Sequence, residues 1–452
     1  MQITAETGNE NYRSWRNDRV FWIILVVAFV LGLIYNFVII PGLGPDEHRH
    51  FNYIQLLITE HRLPFLLPDG SEYLGAGIFH PPLYYLFLIP FYFIGQFLPG
   101  DAIWHVMRLG SLALCLLALP LIYDLAFAAA GKQVARFATL LVGWLPMWGM
   151  TAGTINNDSA CFFFVVLFLW LLIIRYPQKQ DYRSAMFLGI VLGLGTLCKA
   201  TVLLCALLAL LIYLWMQYGR KVLLSPRAWG RLGTTVGVAT VIAGWWHARS
   251  LMVYGQFTPL PPSMPTPFLP DPHLGKLLLM MHPNFPMVFE YANLKMFETI
   301  WSQKDWLLMS EPPIAWHANI RNAIYILFFL IPLVAIVGYI LQYIRQRRSK
   351  EEKSPVELSA KMASWLPAST FVIVWLTVLQ VALFYHWGWA EGGRYLLPGL
   401  CGYTIGAGRG LEFLTGAKLK IVTVTLSVFL LSVNGIAIFW LITYLNPTFG
   451  PH

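Results

Sequence analysis

Two adjacent carboxylates, Asp46 and Glu47, stand in the string Pro45-Asp46-Glu47-His48, directly after the first strongly apolar segment. Charge beside lipid is expensive to keep, so an ionisable cluster at that point is a first candidate for function. Neighbouring carboxylates on a helix point in different directions, so one can face a cavity while the other holds structure or a cation. A carboxylate against an apolar wall is expected to have a raised pKa and to act as a general base toward a hydroxyl. The plainer alternative is that the pair only starts a helix, favoured there by the helix dipole. His48, His50 and His80 share the same loop, and Tyr84 and Tyr85 follow.

Three cations complete a candidate site. Lys199 interrupts the run Gly195-Thr196-Leu197-Cys198, Arg249 ends Trp245-Trp246-His247-Ala248, and Arg394 stands in Glu391-Gly392-Gly393-Arg394-Tyr395. Lys199 could simply snorkel to the interface, and Arg394 could pair with Glu391. Cations and an acidic pair at converging helix ends suit an anionic substrate, arginine through its planar fork and lysine as a point charge. His80, on the stiff turn before Pro81-Pro82, could donate to a phosphate or cap the next helix. Asn157 and Asp158, in Asn156-Asn157-Asp158, could cap a helix or contact substrate. His48 and His50 are two apart and do not form the i, i+4 pair of a metalloprotease, so no tightly bound metal is expected. No cofactor is firmly implied, and a divalent cation is left open. The five cysteines lack metal-ligand spacing and read as small apolar side chains.

These groups need helices to position them. Hydrophobic residues make up 57% of the 452 and charged ones only 12%, against about a quarter charged in soluble domains. Apolar runs near the roughly 20 residues of a spanning helix, without strand alternation, predict an all-α polytopic membrane protein. The spacing predicts spans over 20–40, 104–128, 136–153, 158–175, 184–199, 201–218, 232–248, 321–344, 364–385, 394–412 and 420–444, eleven in all. The stretch 81–97 either crosses or is re-entrant. The second choice puts every later basic loop on one side, with a cytoplasmic N-terminus. Pro45 to Arg62 reads as a short amphipathic juxtamembrane helix. The whole chain, 1–452, is then one membrane domain. Its first outer loop, 41–103, carries the acidic motif, and the proline-rich segment 249–320 forms a lid.

The ordered set Pro45-Asp46-Glu47-His48, His80-Pro81-Pro82-Leu83-Tyr84-Tyr85, Asn156-Asn157-Asp158, Gly195 to Lys199, Trp246 to Arg249 and Gly393-Arg394-Tyr395 resembles the GT-C superfamily of membrane glycosyltransferases. The likeness is greatest to the family 39-like type, that of protein O-mannosyltransferases and aminoarabinose transferases. It implies eleven or more helices, juxtamembrane helices in the first loop, and a sugar donor on a polyprenyl phosphate. It also implies Asp46 as the catalytic acid-pair member, with an active site on the outer face. Compact size and the lack of a eukaryotic sorting signal favour a bacterial inner membrane, which makes that face periplasmic. Where relatives often carry Trp-Tyr-x-Arg-Asn, this chain has Trp246-His247-Ala248-Arg249-Ser250.

The expected activity is inverting transfer of a sugar to a glycan, lipid or protein acceptor. Asp46 and Glu47 would be catalytic, and His48, His80, Tyr84, Asn157, Asp158, Lys199, Arg249 and Arg394 would bind donor or phosphate. An oligosaccharide ligase with a lipid-linked donor is the alternative enzyme. A transporter is the alternative class, weakened by the clustering of charge at one face and the lack of a repeat. The scattered basic residues argue against nucleic acid as a partner.

Overall fold

A computed structural model describes residues 14–67, 72–77, 80–176, 181–255, 257, a few residues between 333 and 344, 355–384 and 393–445. The described residues are mostly helical, with no β-strand among them. The first half contains α1 (Arg19–Val38), α2 (Glu47–Thr59), α3 (Leu83–Gln96), α4 (Ala102–Ala130) and α5 (Lys132–Gly143). There follow α6 (Pro146–Ala152), α7 (Asp158–Trp170), α8 (Tyr182–Cys198), α9 (Thr201–Tyr218) and α10 (Pro226–Tyr254). The last described helices are α11 (Pro355–Phe384), α12 (Leu400–Thr415) and α13 (Leu419–Trp440).

Among the described residues, five helical stretches are long and apolar enough to cross a membrane: Arg19–Val38, Ala102–Ala130, Asp158–Arg175, Thr201–Leu224 and Arg394–Thr443. The chain is therefore an integral membrane protein of all-α architecture. α3, with 14 residues, is about 21 Å long and shorter than a hydrocarbon core of about 30 Å. It lies antiparallel on the start of α4. Tyr84 bonds Ser111, a side chain on Gly110 would strike Leu88, and one on Gly95 would strike Ile103.

The predicted span 136–153 is two helices. Leu145 is extended, with ψ 133°, and Pro146 opens α6 at a position where proline loses no hydrogen bond. The break leaves the Trp144 carbonyl free. Asn434 of α13 donates to it at 2.8 Å and accepts from the Tyr35 hydroxyl of α1 at 2.9 Å. The segment 258–320 of the expected lid, most of the expected span 321–344 and Glu391 lie outside the described residues.

The core runs through α1, α4, α5, α7, α9, α11 and α12, with Phe137, Phe162 and Tyr213 among its fully buried side chains. A second cluster joins the amphipathic α2 to α3 and α4. Tyr53 stacks on Tyr85 at 3.8 Å, and Phe51 on Trp104 at 3.9 Å. That packing fixes the loop bearing Asp46 to the membrane helices.

Candidate active site

The last carbonyls of α1 have no partners within the helix, as at any helix C-terminus. Arg108 of α4, wholly buried, supplies donors for them. Its Nη1 donates to the carbonyls of Asn36 at 2.6 Å and Ile39 at 2.7 Å, and its Nη2 to Ile40 at 3.1 Å. The same guanidinium grips Glu47, Nε to Oε1 and Nη2 to Oε2, both at 2.8 Å. Glu47 accepts further bonds from the amides of Gly42, Gly44 and Ile155 at 3.1, 3.2 and 2.8 Å. Its carboxylate thus ties the end of α1, the turn into α2, α4 and the turn before α7 into one knot. Gly42 is required in that turn, because it has φ +80° and the His48 ring occupies the space a side chain would need. His48 lies against Gly42 and edge-on to Trp104, 5.8 Å away.

Asp46 caps α2 in the left-handed conformation, φ 55° and ψ 12°, and makes no capping bond with its side chain. This backbone is uncommon for a residue with a side chain and aims the carboxylate away from the helix. It meets Arg394, which the short turn Gly393–Gly399 brings in from the far end of the chain, packed on α7 and α11. Arg394 also lies 3.9 Å from Asp158, at the start of α7, and Asp158 in turn pairs with Lys199, which ends α8. The result is an alternating chain of charge, Asp46–Arg394–Asp158–Lys199, drawn from four separate elements. Tyr395 closes it. Its hydroxyl accepts from Arg394 at 2.9 Å and its ring lies under both cations.

Two buried donors beside this chain have no acceptor, Nη1 of Arg394 and Nδ2 of Asn157. Asn157 precedes α7 without capping it. Asn156 performs the local task, accepting from the Asp158 amide at 2.8 Å. On the other flank His50 is buried, bonded through Nδ1 to the Tyr85 hydroxyl at 2.8 Å, with its ring 5.4 Å from that of His80.

Electrostatics correct one expectation. Burial would raise the Asp46 carboxyl, but Arg394, with smaller contributions from His50 and His80, outweighs it and holds the group well below the usual carboxylate range. Burial pushes His50 down to about 3 against the pull of Asp46, and it lowers His80 as well. Both imidazoles are therefore neutral near pH 7.

Of the residues singled out in the sequence, Asp46, Asp158, Lys199 and Arg394 come together directly. Asn157 and His80 flank them. Tyr84 is buried behind the site, bonded to Ser111 at 2.7 Å. Arg249 stands apart from the ion-pair chain. It donates to the Pro64 carbonyl at 2.9 Å and packs on Trp246 and Tyr254. Arg394 pairs with Asp46, and Glu391, the partner the sequence offered, lies outside the described residues. No group of three or more histidine, cysteine or acidic side chains is placed to hold a metal among the described residues. Arg108 escaped the sequence reading, although a lone arginine inside the apolar run Ala102–Ala130 was a usable signal.

Residues 80–246 match the family described as dolichyl-phosphate-mannose-protein mannosyltransferase, a stretch that holds Asn157, Asp158 and Lys199 but not Asp46 or Arg394. No curated protein matches the chain. Among solved structures the chain is similar to the Archaeoglobus fulgidus oligosaccharyltransferase, with 15% identity and a TM-score of 0.51. The alignment covers 93% of this chain and 53% of the archaeal one, so the chain spans about half that protein's length. It is also similar to ArnT from Cupriavidus metallidurans bound to undecaprenyl phosphate, with 15% identity, 88% and 78% coverage and a TM-score of 0.41. The matched family and these proteins are all GT-C membrane glycosyltransferases, the superfamily the sequence resembles.

Proposed function

We propose that the protein is a glycosyltransferase that moves one sugar, with inversion, from a polyprenyl-phosphate donor to an acceptor hydroxyl or amine at the non-cytoplasmic face of a bacterial inner membrane. The observation that carries this reading is the ion pair between Asp46 and Arg394 at the mouth of a buried charge chain. The match of residues 80–246 to a dolichyl-phosphate-mannose-dependent family supports the donor class.

Before substrate arrives the four charges sum to zero, two carboxylates against two cations. A donor phosphate brings negative charge and takes the free Nη1 of Arg394, helped by Nδ2 of Asn157. Arg394 then has less charge to give Asp46, whose proton affinity rises only once donor is bound. The acceptor O–H or N–H donates to Asp46 as the acceptor atom attacks the anomeric carbon from the face opposite the phosphate. The bond from that carbon to the phosphate oxygen breaks, and its electron pair leaves on the polyprenyl phosphate. The acceptor's proton stays on Asp46. Phosphate leaves well once its growing charge is met, so Arg394 and, through Asp158, Lys199 supply electrostatic stabilisation and no general acid is needed.

Glu47, with its oxygens filled, is assigned to positioning Asp46 and not to proton transfer. Arg249 is assigned to holding the Pro64 segment against α10.

The test is transfer by purified protein in nanodiscs, with labelled polyprenyl-phosphate sugars and product mass to count the sugars moved. Asp46→Asn keeps the shape and removes the base, so the rate should fall about a hundred- to ten-thousandfold. Transfer at the wild-type rate by this variant would refute the assignment.

A further inference from the structure

A further buried cation lies at the opposite end of the molecule, without a carboxylate partner among the described residues. Arg231, in the second turn of α10, is 2% exposed. Its Nη1 donates to Gln217 Oε1 at 3.2 Å and its guanidinium lies over the Tyr213 ring, but its Nη2 is buried with no acceptor. No ion pair joins it to an acidic side chain among the described residues. The 18 residues of α9 separate this place from Lys199 by about 27 Å of helix.

The connection from α9 to α10, Gly219–Leu224, carries Arg220 and Lys221, and Arg227 opens α10. All three are exposed. Leu223, Leu224 and Trp229 beside them are also exposed, at 66%, 86% and 51%. The Trp229 indole donates to the Leu223 carbonyl at 3.0 Å, which holds the ring against the turn. Asp181, the carboxylate that begins α8 at this end, accepts from the Ser184 amide at 2.9 Å. Cationic heads interleaved with exposed leucine and tryptophan, where the membrane helix α9 joins α10, suit the headgroup layer of a bilayer.

We propose that Arg231, with Arg220, Lys221 and Arg227, forms a seat for the phosphate of an anionic membrane lipid, at the end of the bundle opposite Asp46. A buried guanidinium with a free donor calls for an oxyanion, and its planar fork fits phosphate oxygens. The exposed cations draw anionic headgroups to the surface, and the exposed leucines and tryptophan give the acyl chains apolar contact. A lipid satisfies both halves of the surface, where a free phosphate satisfies one. The seat does not rest on the sugar-transfer reading.

The experiment is lipid titration of the delipidated full-length protein, read by native mass spectrometry. Phosphatidylglycerol, phosphatidylcholine and inorganic phosphate are the three probes. Phosphatidylglycerol should bind about tenfold more tightly than phosphatidylcholine, the order expected from one to two charge-assisted contacts. Arg231→Gln should erase most of that preference, and Arg231→Lys should keep part of it. Should the buried substitution prevent folding, the exposed triple variant R220Q/K221Q/R227Q serves instead, with a severalfold loss expected. Equal binding of the two lipids by the wild-type protein would overturn the proposal. So would an undiminished preference in the variants, or full displacement of phosphatidylglycerol by equimolar inorganic phosphate.

Discussion

Asp46 and Glu47 are adjacent in the chain and meet opposite fates. Glu47 is sealed, its two oxygens taken by Arg108 and three backbone amides. Asp46 has a side chain 42% exposed and one arginine for a partner. The difference is set by the backbone. Glu47 starts a helix and points back into the end of α1, while left-handed Asp46 turns outward. One carboxylate builds the scaffold so that the other can be left with unused capacity.

The largest effect should come from breaking the sealed side. Arg108→Met strands Glu47 in the interior and should cost about 3–5 kcal/mol, the usual penalty for orphaning a buried charge. Thermal unfolding in detergent measures it, and a loss below about 1 kcal/mol would show that Glu47 is not held as described. Next comes Lys199→Met, which removes one partner of buried Asp158 and leaves Arg394 3.9 Å away. A loss of about 1.5–3 kcal/mol is expected, the range for a hydrogen bond to a charged group.

The open side should show the reverse. Asp46→Asn should change stability by less than about 1 kcal/mol, since Asp46 is 42% exposed and Asp158 stays beside the buried Arg394, while abolishing most sugar transfer. Asp46→Gly sharpens the contrast. It relieves the left-handed backbone and should unfold no earlier than wild type, yet be inactive. A variant that lost stability and activity in step would erase the distinction between the two carboxylates.

The smallest effect concerns pH. His50 is lowered from its usual 6.5 to about 3 in the folded protein, so the unfolded chain binds the extra proton between those values. Stability therefore rises with pH across that window, and acidification from pH 7 toward 5 should loosen α2. Amide exchange over residues 47–59 should quicken at pH 5. Asp46, held low by Arg394, stays ionised throughout that range. Slower exchange at pH 5 would mean that the imidazole is not buried neutral.

Much of this architecture was legible because apolar runs and their breaks are local signals. The predicted span 201–218 coincides with α9, and the predicted 184–199 differs from α8 by one or two residues at each end. The convergence of Asp46, Asp158, Lys199 and Arg394 could be suspected from their shared place at helix ends. Their pairing order could not, since it depends on a contact 348 residues long. The direction of the Asp46 shift was misjudged for the same reason, because the nearby apolar residues were visible and the distant arginine's position was not. Arg108 stood out as the one arginine of a long apolar helix, but its role shows only against the carbonyl end of α1.

The Asn434 side chain has a consequence for how the molecule comes together. It bridges the first helix and the gap between α5 and α6, and it sits in the last described helix. Until α13 inserts, the Trp144 carbonyl has no protein donor from that side in a solvent that offers none. Assembly of the amino-terminal helices is thus completed only once α13 has joined them. A chain cut before α13 should reach the membrane yet stay loosely joined at that break.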